Sequence, residues 1–342
     1  METSEGRHEA VLAAVVRAYV DSAHPVASGP VAEELDLSSA TIRNVFADLE
    51  RHGYLSHPHT SSGRMPTDKG YRLYVDRLMR VRELNLKERQ AIEEEYHARR
   101  GEVEALLRHS AGLLSAMTRL AGVAVTPVSD AFQLERFQLA VVDSRRVLVI
   151  LVTSDGLVRE EVVRLEDPLS VKEVEKVLHI LNQKFAGLAL NDIRTALLRE
   201  ADESRRLRLA LVQAALDLID HALRVTPENV VLEGASRLIE QPEFRDPGHA
   251  GRVLRLVEER QPLARLLAGQ WASPGLKVQI GREIPESLLN DFSVVHVPYR
   301  IGGRVAGALA VLGPTRMAYD QVSPLLEMVA RLVEERLNGE RE

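Results

Sequence analysis

The sequence predicts a multidomain α+β protein, and three observations carry that reading. Its 342 residues are too many for one ordinary core and suggest two or three domains, of which we expect three. The first 80 or so carry short apolar stripes at helical spacing, punctuated by Pro, Gly and Ser. From residue 132 the apolar period becomes that of strands, and further blocks of helix and strand pattern follow.

Residues 7–22 read as a helix, because Val11, Leu12, Val15, Val16 and Tyr19 recur at helical spacing and His24-Pro25 provides a stop. Ser28-Gly29-Pro30 supplies a cap and a first-turn proline for a short helix reaching Leu35. Asp36-Leu37 then turns the chain into Ser38, the next N-cap. Two short helices joined by about three residues form a helix-turn-helix. The third helix, Ser39 to His52, gathers Ile42, Val45, Phe46 and Leu49 in one sector and Ala40, Arg43, Asn44, Ala47 and Arg51 opposite. Gly53 ends it, Tyr54–His57 reads as a strand, and Pro58 to Arg64 is a polar loop. After Met65-Pro66, Thr67 caps a helix striped by Tyr71, Tyr74, Val75 and Leu78. Residues 1–81 are thus predicted as a winged helix-turn-helix, with the loop as its wing.

Apolar-type positions at 92, 96, 103, 106, 113, 117 and 120 predict a long amphipathic helix interrupted at Gly101 and Gly112. A strand meander follows over Phe132–Val142, Val147–Thr153 and Leu157–Leu165, then helices near 170–185, 192–199 and 203–224. Further strands are expected at Lys277–Ile280, Phe292–Arg300 and Arg304–Gly313, the last two joined through Ile301-Gly302-Gly303, before a final helix from Tyr319 to about Leu337.

Composition narrows the function classes. The absence of cysteine excludes disulfides, Cys-ligated zinc, iron–sulfur clusters and a thiol nucleophile. Aromatics at 4% leave few stacking platforms for single-stranded nucleic acid. With no apolar leader and no run of 18 apolar residues, we expect a cytoplasmic protein without a membrane partner. A net charge of −6 sits poorly with phosphate binding, but residues 43–82 hold eight Lys and Arg against four Asp and Glu.

That basic region contains the candidate site. Small residues at the start of the third helix would let it enter a DNA major groove, where Arg43 could donate two bonds to guanine and Asn44 could pair with adenine or a phosphate. Ser39, Thr41 and Arg51 lie on the same helix, and His57, His59, Thr60, Ser61 and Arg64, with Lys69 beyond them, offer hydroxyls, imidazoles and cations to the backbone. The competing reading is a solvated helix face followed by a solvated hairpin tip. A metal on His52, His57 and His59 is disfavoured, because no acidic or thiol partner lies at ligand spacing. No catalytic constellation and no cofactor motif emerges: Gly302-Gly303 with Gly307 joins two strands, and Gly313-Pro314-Thr315-Arg316 reads as a turn or an anion-holding loop.

Ala40-Thr41-Ile42-Arg43-Asn44 and the run from Pro58-His59-Thr60-Ser61-Ser62-Gly63-Arg64 through Met65-Pro66-Thr67-Asp68-Lys69-Gly70-Tyr71-Arg72 resemble the bacterial heat-inducible transcription repressor HrcA family. So do Pro298-Tyr299-Arg300-Ile301-Gly302-Gly303-Arg304-Val305-Ala306-Gly307 and Leu312-Gly313-Pro314-Thr315-Arg316-Met317, so the likeness spans essentially the whole chain. Phe46 and Met65 depart from the expected Met and Ile while keeping apolar bulk. The resemblance implies a GAF-like α/β domain over 82–129 and 227–342, with an inserted α+β dimerising domain at 130–226. It also implies double-stranded DNA as partner through an inverted-repeat operator known as CIRCE, a homodimer to match the repeat, and modulation by the GroE chaperonin. A metabolite-responsive repressor, with a small ligand in the GAF-like domain, is the alternative.

Overall fold

The computed structural model describes residues 4–58, 63–97, 103–126, 133–143, 145–154, 158–164, 171–190, 192–193, 196, 219, 229–268 and 275–339. The architecture is mixed α+β with several sheets. Helix α1 (Ser4–Ser22) starts earlier than residue 7 and buries Val11, Leu12, Val15 and Val16 against α2 (Ser28–Leu35) and α3 (Ser39–Arg51). Asp36 ends α2 in a left-handed conformation, φ 53°, and Ser38 opens α3 by accepting the Thr41 amide at 3.0 Å. Strands β1 (Leu55–Ser56) and β2 (Met65–Pro66) pair antiparallel, and Thr67 caps α4 (Asp68–Leu73). That helix widens into a π-turn over Tyr74–Leu78, which the sequence pattern does not signal.

Helices α5 (Leu86–His97) and α6 (Val103–Thr118) follow. Gly101 lies outside the described residues, but the interruption expected at Gly112 does not occur. Leu107, Ala111 and Leu114 are fully buried on one side of α6, and that burial outweighs the roughly 1 kcal/mol helix penalty of one glycine.

Strand β3 (Ala121–Val125) leads into two separate sheets. In one, β4 (Leu134–Asp143), β5 (Arg146–Thr153) and β6 (Val158–Arg164) form an antiparallel meander backed by α7 (Val171–Phe185), with a core of Phe137, Val149, Leu151, Val174, Leu181 and Phe185. Phe132, Leu157, Leu165, and the helix expected over 203–224 apart from Ile219, lie outside the described residues.

The other sheet is five-stranded and antiparallel. It takes β7 (Val230–Glu233), then β3, then β10 (Arg304–Pro314), β9 (Phe292–Ile301) and β8 (Lys277–Ile280) in that spatial order. Alternate residues of β9 serve its two faces. Phe292 and Val294 join a core with α8 (Ala235–Ile239), α9 (Pro247–Glu258) and α10 (Gln261–Ala268). Val295, Val297 and Tyr299 join α6 and α11 (Tyr319–Gly339) in a core continuous with that of α1 to α4. The closeness of α6 to β3 depends on Gly122, where a Cβ would lie 1.9 Å from the Ala111 carbonyl oxygen. No helix among the described residues is long and apolar enough to cross a membrane.

Candidate nucleic-acid interface

Helix α3 is fixed by one face and presents the other. Ile42, Val45, Phe46 and Leu49 are buried, whereas Ala40, Arg43, Asn44, Ala47 and Arg51 are exposed. The start of the helix is pinned by hydroxyls. Ser38 Oγ lies 2.8 Å from Thr41 Oγ1, and Ser39 Oγ lies 2.9 Å from Ser28 Oγ, tying α3 to the start of α2. Arg43 Nε donates to the Ser39 carbonyl at 3.3 Å, which leaves both terminal nitrogens of the guanidinium pointing away from that bond. Arg51 donates to Asp48 at 3.0 Å with its side chain 72% exposed. A guanidinium and an amide beside small residues on a solvent-facing helix can reach base edges in a major groove.

The ladder next to α3 is held by close backbone contacts. Val26 and Arg64 exchange amide bonds at 2.8 and 2.9 Å, and a Cβ on Gly63 would lie 2.5 Å from the Val26 carbonyl oxygen. Only glycine permits that approach. His57, just after β1, and Arg64, just before β2, both reach the carboxylate of Glu50, Arg64 through a terminal nitrogen at 2.9 Å. Lys69 Nζ donates to the His52 carbonyl at 2.9 Å and lies 4.5 Å from the centre of the Tyr54 ring. It therefore neutralises the C-terminal end of α3. The expected contacts His59, Thr60 and Ser61, with Ser62, lie outside the described residues.

Residues 104–322 match the family model of the HrcA protein C terminal domain. Over 336 residues the chain is 35% identical to the heat-inducible transcription repressor HrcA of Geobacter sulfurreducens, an alignment covering 98% of each. It is 37% identical over 334 residues to the repressor of the same name from Anaeromyxobacter dehalogenans, covering 96% of this chain and 94% of that one. The chain belongs to the HrcA family. A crystal structure of a hypothetical protein at 2.2 Å resolution is also similar, with TM-score 0.61 and 25% identity over 97% of this chain and 98% of that one.

In this HrcA-family chain the candidate residues fall into two sets. Arg43, Asn44 and Arg51 share the exposed face of α3 with Ala40 and Ala47, whereas Ser39, Thr41, His57, Arg64 and Lys69 hold other parts of the same unit together. Sequence reasoning missed Glu50 and Val26. Glu50 was legible only as an acid within a basic stretch, and nothing in the pattern around Val26 signals its bridge to Arg64. Arg316, weighed as part of an anion-holding loop, instead pairs with Glu243 at 2.5 Å and donates to the Val20 carbonyl at 2.9 Å. Among the described residues no group of three or more His, Asp or Glu is placed to hold a metal ion.

Proposed function

We propose that this chain is a cytoplasmic repressor of heat-shock (chaperone) operon transcription that binds a CIRCE-type inverted repeat as a homodimer, through a winged helix-turn-helix at residues 1–81. The observation that carries the reading is the exposed face of α3, where Arg43 and Asn44 meet solvent while the opposite face is buried. Arg43, Asn44 and Arg51 would read bases or phosphates, with Ser39, Thr41, His57, His59, Thr60, Ser61, Arg64 and Lys69 positioning the duplex or the residues that touch it.

A palindromic operator requires two symmetry-related copies. The inserted dimerising domain, residues 130–226, is supported by the separate core of β4–β6 and α7, and Val158 and Val162 remain exposed on β6. The GAF-like domain, 82–129 with 227–342, is supported by a sheet that joins β3 to strands beyond residue 229. Modulation by the GroE chaperonin rests on the family resemblance.

Footprinting on an inverted-repeat promoter, with chaperonin added or withheld, tests the proposal. The wild type should protect both half-sites, more fully with chaperonin, and Arg43→Ala should weaken operator binding by about 1–3 kcal/mol and relax base preference. Protection of neither half-site would overturn it.

One observation favours a second reading, a repressor answering to a small metabolite. His296 Nε2 and Gln279 Oε1 are buried without a hydrogen-bond partner, and the β8–β9 register puts both side chains on the same face of the five-stranded sheet. A stoichiometric metabolite in the native mass spectrum of the purified protein, altering operator affinity when added back, would favour it.

A further inference from the structure

We propose that Glu50 is a positioning residue that sets how sharply this protein discriminates its operator from other DNA, by clamping His57 and Arg64 to α3 and so fixing the orientation of Arg43 and Asn44. The inference rests on the proposed docking of α3 in a DNA groove. Glu50 lies seven residues beyond Arg43, two turns along nearly the same side of α3, with Ala47 between them. A carboxylate there faces the approaching phosphates and repels them unless it is neutralised. The fold engages it twice: the Arg64 guanidinium neutralises it and the His57 imidazole contacts it, one from each strand end of the β1–β2 ladder.

Those two groups are the ones a helix-plus-ladder unit would ordinarily spend on the DNA backbone. The Arg64 side chain is only 22% exposed and that of His57 32%, because each folds back onto α3. A cation on a phosphate adds affinity for every sequence alike, whereas one held by Glu50 adds none and fixes the ladder against the reading helix. Glu50 therefore gives up general affinity in return for a fixed orientation of Arg43 and Asn44. The sequence-independent share of binding shrinks and the base-dependent share remains.

The test is Glu50→Gln, which keeps shape and removes charge, beside Glu50→Asp, which keeps charge. Binding of the full-length protein is titrated against the inverted repeat and against a scrambled duplex at several salt concentrations. Glu50→Gln should bind the scrambled duplex about three- to tenfold more tightly, with a salt dependence steeper by about one phosphate contact. Its operator preference should fall by about tenfold, and Glu50→Asp should recover most of that preference. A purely structural role would weaken both duplexes in the same proportion and leave the preference and the salt slope at wild-type values, which overturns the inference. A wild type with no operator preference removes the DNA-reading proposal and this inference together; a discriminating wild type whose preference survives Glu50→Gln removes this inference alone.

Discussion

Arg72 on α4 donates through Nε to Glu283 Oε1 at 2.8 Å, across 211 positions of sequence, and a terminal nitrogen of the same guanidinium reaches the Val278 carbonyl of β8 at 2.6 Å. Beside it the Asp68 carboxylate accepts the Arg282 amide at 3.1 Å, and the Tyr71 and Tyr319 rings meet edge to face at 6.2 Å. The helical unit that carries α3 is thus seated on the edge of the five-stranded sheet by charge-assisted bonds over a shared apolar core.

Arg72→Ala should lower unfolding stability by about 1–3 kcal/mol in denaturant titrations, because it strips partners from Glu283 and from the Val278 carbonyl at once. Burial works to raise the Glu283 pKa, but bonds from Arg72 and the Ile280 amide, with the Arg72 charge, outweigh it and hold the carboxyl below its ordinary 4.5. A depressed carboxyl stabilises the fold above its unfolded value and loses that contribution as pH falls through the folded value. Below pH 4.5 the wild type should therefore lose about 1 kcal/mol more than Glu283→Gln, a modest figure because the pair is about one-third exposed.

His296 moves the acid limit higher. Burial, aided by the nearby Lys277 charge, pushes its imidazole down to about 4 from an ordinary 6.5. The folded state holds it neutral while the unfolded chain takes up a proton, so stability is complete above pH 6.5 and drains away between 6.5 and 4. The total is about 3 kcal/mol. Urea titrations at pH 7.5 and 5 should show a clear drop in the wild type and a flatter response in His296→Gln; equal slopes would refute the assignment.

Gly70 sits where a Cβ would lie 2.2 Å from the Tyr54 carbonyl oxygen. Gly70→Ala should drive α4 away from the end of β1 and destabilise the N-terminal unit by about 1–3 kcal/mol. Thermal unfolding followed by near-UV circular dichroism at the tyrosines would register it.

Ser38→Ala removes the side chain that accepts the Thr41 amide at the start of α3. Loss of about 1 kcal/mol is expected, with base preference retained, since Ser38 is a cap and not a reader. Comparing its binding profile on point-substituted operators with that of Arg43→Ala separates the two roles.

How much of this was legible in sequence depends on the range of the interaction. The two faces of α3 follow from a 3.6-residue period, and its cap from Ser38, so both could be read locally. The β9–β10 turn was equally plain, because Gly302 and Gly303 adopt φ 59° and 80°, where side chains are disfavoured. The neighbours of β3 were harder: the C-terminal strands follow from local pattern, but their pairing with β3, and that of β7, spans more than a hundred residues and leaves no local periodicity. The same limit hid Val26 opposite Arg64. Gly112 misled for a different reason, since its penalty is local while the burial that overrides it comes from β3 and α11.

The placement of β3 also orders events in time. Residues 121–125 leave the ribosome early, yet one of their ladder partners is at 230–233 and the other at 304–314, near the end of synthesis. The helices around Val11 to Tyr74 can collapse at once, while the apolar face of β3 and the buried side of α6 must wait, uncovered, for most of translation. The last ladder of the five-stranded sheet therefore closes only when nearly the whole chain has been made.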